Sequence, residues 1–91
     1  MRRVFKYPLE IIGQQTVDTR AGWMPLSVQM QGGVLCLWAE VDDLSPAASC
    51  RVFVHGTGHE VHPDAARFVG TFQVPDYGLV FHVYTEETSD E

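Results

Sequence analysis

The sequence predicts an all-β fold: a small antiparallel sandwich or barrel of roughly six to seven strands. Apolar and polar residues alternate with a period of two in segment after segment, which is typical of strands that bury one face. Helical spacing is rare, and clusters of glycine, proline and aspartate separate the alternating segments. The chain has 91 residues, which suits one domain. We therefore expect a single β domain over residues 1–85, followed by an acidic flexible tail over residues 86–91.

The first predicted strand, over residues 3–10, places aromatic and aliphatic side chains on one face. Pro8 has no backbone N–H and cannot donate to a neighbouring strand, so this strand should lie at a sheet edge or end near Pro8. A weaker alternating pattern over residues 15–19 predicts a second strand.

A β-hairpin follows, with strands over residues 26–31 and 34–41. Gly32 and Gly33 supply the positive φ angles that a tight turn requires. The second strand is apolar on both faces, which is typical of a strand that is covered twice. We expect it to lie centrally in a sheet or to face a partner chain, so a homo-oligomer and a monomer both remain open.

The second half of the chain contains the remaining predicted strands. A loop over residues 42–50 leads to a strand over residues 51–55. Two glycines and a proline then break the pattern over residues 56–64, where no regular strand can continue. Strands over residues 67–74 and 79–85 close the fold, most simply as an antiparallel hairpin.

Charge and composition exclude several classes of protein. The formal net charge is −6 and the basic residues are scattered, whereas nucleic-acid binding usually needs a basic stripe, so direct DNA binding is not expected. No apolar run approaches the roughly 20 residues needed to cross a bilayer, and no secretion signal is recognisable. The two cysteines are expected to stay reduced, which favours a cytoplasmic protein that does not bind membranes.

The glycine-broken segment is the strongest candidate for a functional site. Glycine lets a ligand approach the backbone, and successive amide N–H groups can form a nest that binds an anion such as phosphate. The segment lacks the spacing of a Walker loop, so a plain glycine turn leaving a strand is the alternative. The predicted ligand-binding residues belong to the segment or are arginines of the flanking strands: Gly56, Thr57, Gly58, His59, His62, Arg51 and Arg67.

Metal binding and catalysis have weaker support. Zinc accepts imidazole and carboxylate ligands, but a glycine turn separates the candidate residues and no Cys-x-x-Cys pair completes a site. Cys36 lies among apolar neighbours, where a thiol stays protonated. We therefore predict no metal, no cofactor and no enzymatic activity. The residues of zinc-ligand type in and beside this segment are His55, His59, Glu60 and His62.

Large aromatic rings dominate both protein cores and interfaces, so three of them are predicted to contribute to an interface. Trp23 is expected to be partly exposed, because it follows Gly22 and precedes Pro25. Trp38 is expected in the core or at a subunit contact. The predicted interface residues are Trp23, Trp38 and Tyr84.

Short motifs along nearly the whole chain resemble those of a family of small, uncharacterised bacteriophage and prophage proteins. The motifs are KYPL at residues 6–9, LWA at 37–39, GTGH at 56–59, GTFQ at 70–73 and LVFHV at 79–83. The resemblance implies a phage-encoded accessory protein that acts in the cytoplasm of the bacterial host. It carries over no catalytic residues, because the family has no settled activity.

From this resemblance we expect a protein that counters bacterial defence by binding and sequestering a small anionic ligand, such as a signalling nucleotide. The ligand would bind at an oligomer interface that includes residues 56–62. The alternative is a protein–protein module, either an inhibitor of a host protein or a component of the virion or its assembly. Exposed aromatic residues and a sheet edge would then carry the contact.

Overall fold

The computed structural model describes residues 1–87 and shows seven β-strands in two antiparallel sheets. The strands are β1 (Arg2–Leu9), β2 (Gln14–Arg20), β3 (Met24–Gln31), β4 (Val34–Asp42), β5 (Ala47–Gly56), β6 (Arg67–Val74) and β7 (Leu79–Thr85). Sheet A has the order β1-β4-β3, and sheet B has the order β2-β5-β7-β6. The sheets pack face to face around one core, so the predicted small all-β sandwich is confirmed. No helix within these residues is long and apolar enough to cross a membrane.

The hairpin of sheet A forms at the glycine pair that predicted it. Gly32 (φ 56°) and Gly33 (φ 82°) adopt left-handed backbone angles that other residues rarely allow. β4 lies between β1 and β3, as its apolar pattern predicted, and β1, which carries Pro8, is an edge strand. The inward-facing residues of β4 are buried in the core: Leu35, Leu37, Ala39 and Val41.

Sheet B contains the second predicted hairpin, β6–β7, which turns through the short 3₁₀ segment Pro75–Tyr77. β5 begins at Ala47, whereas the sequence predicted a loop up to residue 50. The small side chains at its start pair with β2, for example Cys50 opposite Val17. This tertiary pairing overrides their low strand propensity, so the predicted start of the strand was too late.

Trp23 packs into the core at the connection between β2 and β3. Its side chain is 2% exposed and meets Tyr7 edge-on, with ring centroids 5.4 Å apart. The expected partial exposure of Trp23 is therefore wrong. The short connection turns the ring inwards, where its large apolar area is removed from water. With so little exposed surface, Trp23 cannot serve as an interface residue.

The acidic tail lies only partly within the described residues. Glu86 accepts hydrogen bonds from the Arg51 backbone N–H at 2.7 Å and from Arg51 Nε at 3.3 Å. It is therefore held against β5, and the predicted flexible tail does not begin at this residue. Residues 88–91, which belong to the predicted tail, lie outside the described residues.

Candidate functional site

A segment between β5 and β6 covers part of the outer face of sheet B, the face turned away from the core. Phe53 lies on this face, since its neighbours Val52 and Val54 alternate with it, yet Phe53 is 0% exposed. The His62 ring stacks on it, with ring centroids 4.5 Å apart and an interplanar angle of 22°. We call residues 57–66 the covering segment. Its packing explains why an outward-facing phenylalanine is buried.

All four histidines of the chain lie in the covering segment or against it. His55 in β5 and His82 in β7 are direct cross-strand partners. His59 and His62 belong to the segment itself. His82 Nε2 lies 2.9 Å from Thr57 Oγ1, where the segment begins. Histidines that are distant in the sequence thus meet on one face because β5 pairs with β7.

Main-chain N–H groups of the covering segment donate to two of these imidazole rings. The His62 N–H donates to His55 Nε2 at 3.0 Å. The Asp64 N–H donates to His62 Nδ1, also at 3.0 Å. Both ring nitrogens act as acceptors, so each must be unprotonated in this arrangement.

His55 is held in its neutral form. Burial lowers its pKa from the usual 6.5, and the nearby His62, His82 and His59 lower it further, while a weak contact with the His82 main chain acts in the opposite direction. Because Nε2 accepts a hydrogen bond, the proton of the neutral ring resides on Nδ1. Nδ1 is buried and makes no hydrogen bond of regular geometry with the described residues. Because this atom is buried, a ligand in solution reaches it only if the surrounding residues move.

A surface cleft of about 600 Å³ lies between the covering segment and the residues that lead into β2. This volume falls within the range of sites that hold small ligands. Its lining combines hydrogen-bonding groups with an apolar wall. The lining residues that bear on recognition are His55, His59, His62, Gln14, Glu60 and Val61.

The backbone amides of the glycine turn are largely used within the fold. The Thr57 N–H donates to the Val80 carbonyl at 3.3 Å, and the His59 N–H donates to the Gly56 carbonyl at 3.1 Å. A Cβ atom at Gly56 would lie 3.1 Å from the His59 ring, so glycine is what allows the ring to pack there. Gly58 has a φ of 88° and permits the turn. Gly56, Thr57 and Gly58, which were predicted to bind the ligand, do not line this cleft, whose recognition groups come from side chains.

The two arginines predicted to bind the ligand do not line this cleft. Arg51 forms ion pairs with Asp64 at 2.7 Å and with Glu86 at 3.3 Å, so two carboxylates offset its charge. Its guanidinium also holds the pKa of the Asp64 carboxyl below the usual 3.8. Arg67 begins β6, opposite Thr85, and is exposed. Arg51 therefore secures the covering segment, while Arg67 lies apart from the cleft.

The two remaining aromatic interface candidates lie on opposite sides of the sandwich. Trp38 is half-buried on the outer face of sheet A, because it alternates with the buried residues of β4. Tyr84 is half-buried on the outer face of sheet B. Its ring centroid lies 5.5 Å from that of His55 and 5.4 Å from that of Phe68. They cannot belong to one continuous patch. The exposed apolar residues that share the outer face with Trp38 are Val4, Met24 and Val34.

Sequence reasoning did not assign Phe53, Gln14 and Val61 to the site. For Phe53 a signal existed, since alternation places it opposite Val52 and Val54 beside a segment that could fold over it. Gln14 gave no local signal, because its position depends on the pairing of β2 with β5. Val61 joins the cleft through the path of the loop, which no sequence pattern specifies.

Over residues 1–87, no group of three or more histidine, cysteine, aspartate or glutamate side chains is arranged to hold a metal ion. Hydrogen bonds from the main chain already occupy one nitrogen each of His55 and His62. The histidine cluster is therefore better suited to hydrogen bonding than to metal coordination.

The two cysteine thiols are predicted to be unreactive in the folded protein. Cys36 and Cys50 are free and buried, and burial raises the pKa of the Cys50 thiol. We expect neither to react with a chromogenic disulfide reagent in the native protein at pH 7.5, and both to react after denaturation. Rapid reaction of one thiol in the folded protein would show an accessible, activated cysteine and contradict this arrangement.

No curated protein and no solved structure is significantly similar to this chain. A family model does match, and it covers residues 1–91, the whole chain. Its description is "Domain of unknown function (DUF7352)". The chain therefore belongs to the DUF7352 family.

Proposed function

We propose that this domain is a non-catalytic binding protein that holds a small anionic ligand, such as a signalling nucleotide, in the cleft lined by His55, His59 and His62. One observation carries the proposal: three of the four histidines of an acidic chain converge on a single cleft of ligand size. We call this cleft the histidine cleft. Perturbed or unsatisfied titratable groups that gather in a cleft are typical of binding sites.

The chemistry of the lining suits a small anion with polar and apolar parts. His59 is exposed at the rim, where its imidazole is accessible to a ligand. An imidazole donates to a phosphate oxygen when neutral and adds a positive charge when the anion stabilises its protonated form. The Glu60 carboxylate can accept from a donor such as an exocyclic amine, and Val61 offers an apolar contact.

The net charge of −6 does not oppose such a ligand, although it opposes a long polyanion. DNA binding needs many phosphate contacts to release counterions, whereas a small ligand needs only local donors. Charges more than a Debye length away, about 8–10 Å at ordinary ionic strength, are largely screened. Arg51 is already paired with carboxylates, so the imidazoles would bind the anion as hydrogen-bond donors.

The proposed biological role follows from the resemblance to phage and prophage proteins. A phage protein that sequesters a signalling nucleotide in the host cytoplasm lowers the free concentration of that nucleotide and so counters bacterial defence. Such a role needs tight binding and no chemical step. It is compatible with a cleft that contains hydrogen-bonding groups and with two buried thiols.

The proposal predicts stabilisation by a nucleotide and a loss of affinity in His59→Ala. In a thermal-shift screen with cyclic and linear nucleotides, a ligand at 100 times its Kd adds about 2.7 kcal/mol, or roughly 10–20 °C for a domain of this size. The His59→Ala substitution removes a hydrogen-bond donor to a charged group of the ligand. It should therefore raise the Kd, measured by calorimetry, about tenfold or more. The melting temperature of the free variant should change little, because His59 is exposed.

Gln29→Ala is the matched control, because Gln29 is exposed on the outer face of sheet A, on the far side of the sandwich. It should bind like the wild type. If no nucleotide raises the melting temperature, or if His59→Ala binds as tightly as Gln29→Ala, the histidine cleft is not the ligand site.

A second function is favoured by one specific feature, the exposed apolar residues around Trp38. A protein–protein module would use this outer face of sheet A to bind a host protein or another phage component. Val34, which is 45% exposed there, gives the discriminating variant. The second function replaces the first if two results are obtained together. No nucleotide stabilises the wild-type protein, and the wild type captures one defined host polypeptide that Val34→Asp no longer captures.

A further inference from the structure

Two of the hydrogen bonds that hold the covering segment depend on unprotonated histidines. His55 Nε2 accepts the main-chain N–H of His62, and His62 Nδ1 accepts the main-chain N–H of Asp64, each at 3.0 Å. A backbone N–H cannot act as an acceptor. A protonated ring nitrogen carries an N–H that would face the main-chain N–H. Protonation of either ring nitrogen therefore breaks the hydrogen bond. Both bonds fail for the same chemical reason and in the same direction of pH.

Protonation would also place positive charge where the fold opposes it. His55 is 8% exposed, and the chain's other histidines, His59, His62 and His82, each disfavour its charged form. The Tyr84 ring meets His55 edge-on at 5.5 Å between centroids and offers no negative charge. A protonated His55 would be a poorly solvated cation beneath the covering segment.

Carboxylates near the rings compensate only in part. Glu60 lines the cleft with His55 and His62, and its negative charge favours the protonated rings in the closed arrangement. Asp64 follows His62 closely, but its carboxylate is bonded to Arg51 at 2.7 Å. Glu86, the other carboxylate on this side, is engaged by the same arginine. The local charge therefore does not offset the loss of both acceptors.

The two ends of the segment are held by groups that do not titrate in this range. The Thr57 N–H donates to the Val80 carbonyl, and the Ala66 N–H donates to the Thr85 carbonyl at 2.9 Å. The covering segment is thus fixed at both ends to main-chain carbonyls of β7 and at Asp64 to the Arg51 guanidinium, while the His62 and Asp64 amides are held by imidazoles. The residues between these fixed points can therefore open without unfolding the sheet.

We propose that the covering segment is an acid-released latch, in which His55 Nε2 accepts the main-chain N–H of His62 and so holds residues 57–66 over Phe53, and protonation of His55 at mildly acidic pH lets the segment open. The latch goes beyond the proposed function, since it requires no ligand. Only its consequence, that acid remodels the wall of the histidine cleft, rests on that function.

The direction of the pH effect follows from linkage. The closed form holds His55 with a pKa below 6.5, the value for an exposed histidine, so the closed form binds fewer protons than the open form. The contribution of neutral His55 to the stability of the closed form, relative to the open form, is fully present above about pH 6.5. It decreases as the pH falls from there toward the pKa of His55 in the closed form. The pKa of Asp64 is lowered from 3.8, so its pair with Arg51 persists through this range.

Site-resolved amide hydrogen exchange at pH 7.5 and 5.5, corrected for intrinsic exchange rates, tests the latch in the wild-type protein. We expect the His62 and Asp64 amides to lose protection about tenfold or more at the lower pH, which corresponds to the loss of one hydrogen bond. The amides of Thr57 and Ala66 serve as internal controls and should keep their protection. Unchanged protection at His62 and Asp64, or an equal loss at all four amides, would overturn the proposal.

Variants identify the imidazoles as the cause. His55→Gln and His62→Asn each keep an acceptor oxygen near the original nitrogen but do not titrate. In the double variant we expect the protection of the two amides to be independent of pH, and in the control Gln29→Ala, on the far side of the sandwich, we expect it to depend on pH as in the wild type. Persistent pH dependence in a folded double variant would contradict the latch. Because no ligand is present, failure of nucleotide binding leaves this test unaffected.

Discussion

Phe53→Ala is expected to lower the free energy of unfolding by about 3–5 kcal/mol, the usual cost of removing a buried aromatic ring. Phe53 is 0% exposed although it lies on the outer face of sheet B. The substitution removes the ring on which His62 stacks and beside which the Arg51 guanidinium lies, 5.3 Å from the ring centroid. Equilibrium denaturation in urea, monitored by circular dichroism, measures the change.

Phe68→Ala is the matched control for this prediction. Phe68 lies on the same face of sheet B but is 57% exposed, and its ring contacts Tyr84 edge-on. Its loss should cost less than about 1 kcal/mol, since most of its area is already in water. Equal losses in the two variants would show that the covering segment does not bury Phe53.

Leu37→Ala is expected to lower the free energy of unfolding by about 2–5 kcal/mol. Leu37 is 0% exposed at the centre of β4, the strand that both edge strands of sheet A pair with. Truncation leaves a cavity between the sheets, and the paired backbone on both sides limits its collapse.

Leu44→Ala is the control for the core substitution, because Leu44 is 84% exposed in the turn after β4. Surface substitutions of this kind usually change stability by no more than about 0.5 kcal/mol. The same urea denaturation applies to both variants. A small loss in Leu37→Ala would mean that this face of β4 is not packed against sheet B.

The parts of the fold that sequence predicted well depend on local signals. Gly32 and Gly33 specify a turn through their backbone angles alone, and the apolar character of β4 on both faces follows from its central position. The start of β5 was missed because residues 47–50 have little strand propensity and become a strand only by pairing with β2. Trp23 was misplaced because glycine and proline neighbours indicate a turn but do not say which way the ring points.

The candidate site was predicted only in its location. The break in alternation after β5 marked the segment, and His59 and His62 were assigned to ligand binding on that basis. The cross-strand pairing of His55 with His82 and the stacking of His62 on Phe53 are long-range contacts, which no local pattern specifies. The ion pairs of Arg51 with Asp64 and Glu86 also join residues that are distant in the sequence, so they could not be predicted from a local pattern either.

We propose the histidine cleft as the ligand-binding surface of this domain. Backbone amide chemical shifts, followed during titration with the nucleotide that stabilises the protein most, test it directly. We predict that the shifts change at His55, His59 and Val61 and stay constant at Gln29 and Val34, on the opposite side of the sandwich. Changes confined to Gln29 and Val34, or none with any nucleotide, would contradict the claim.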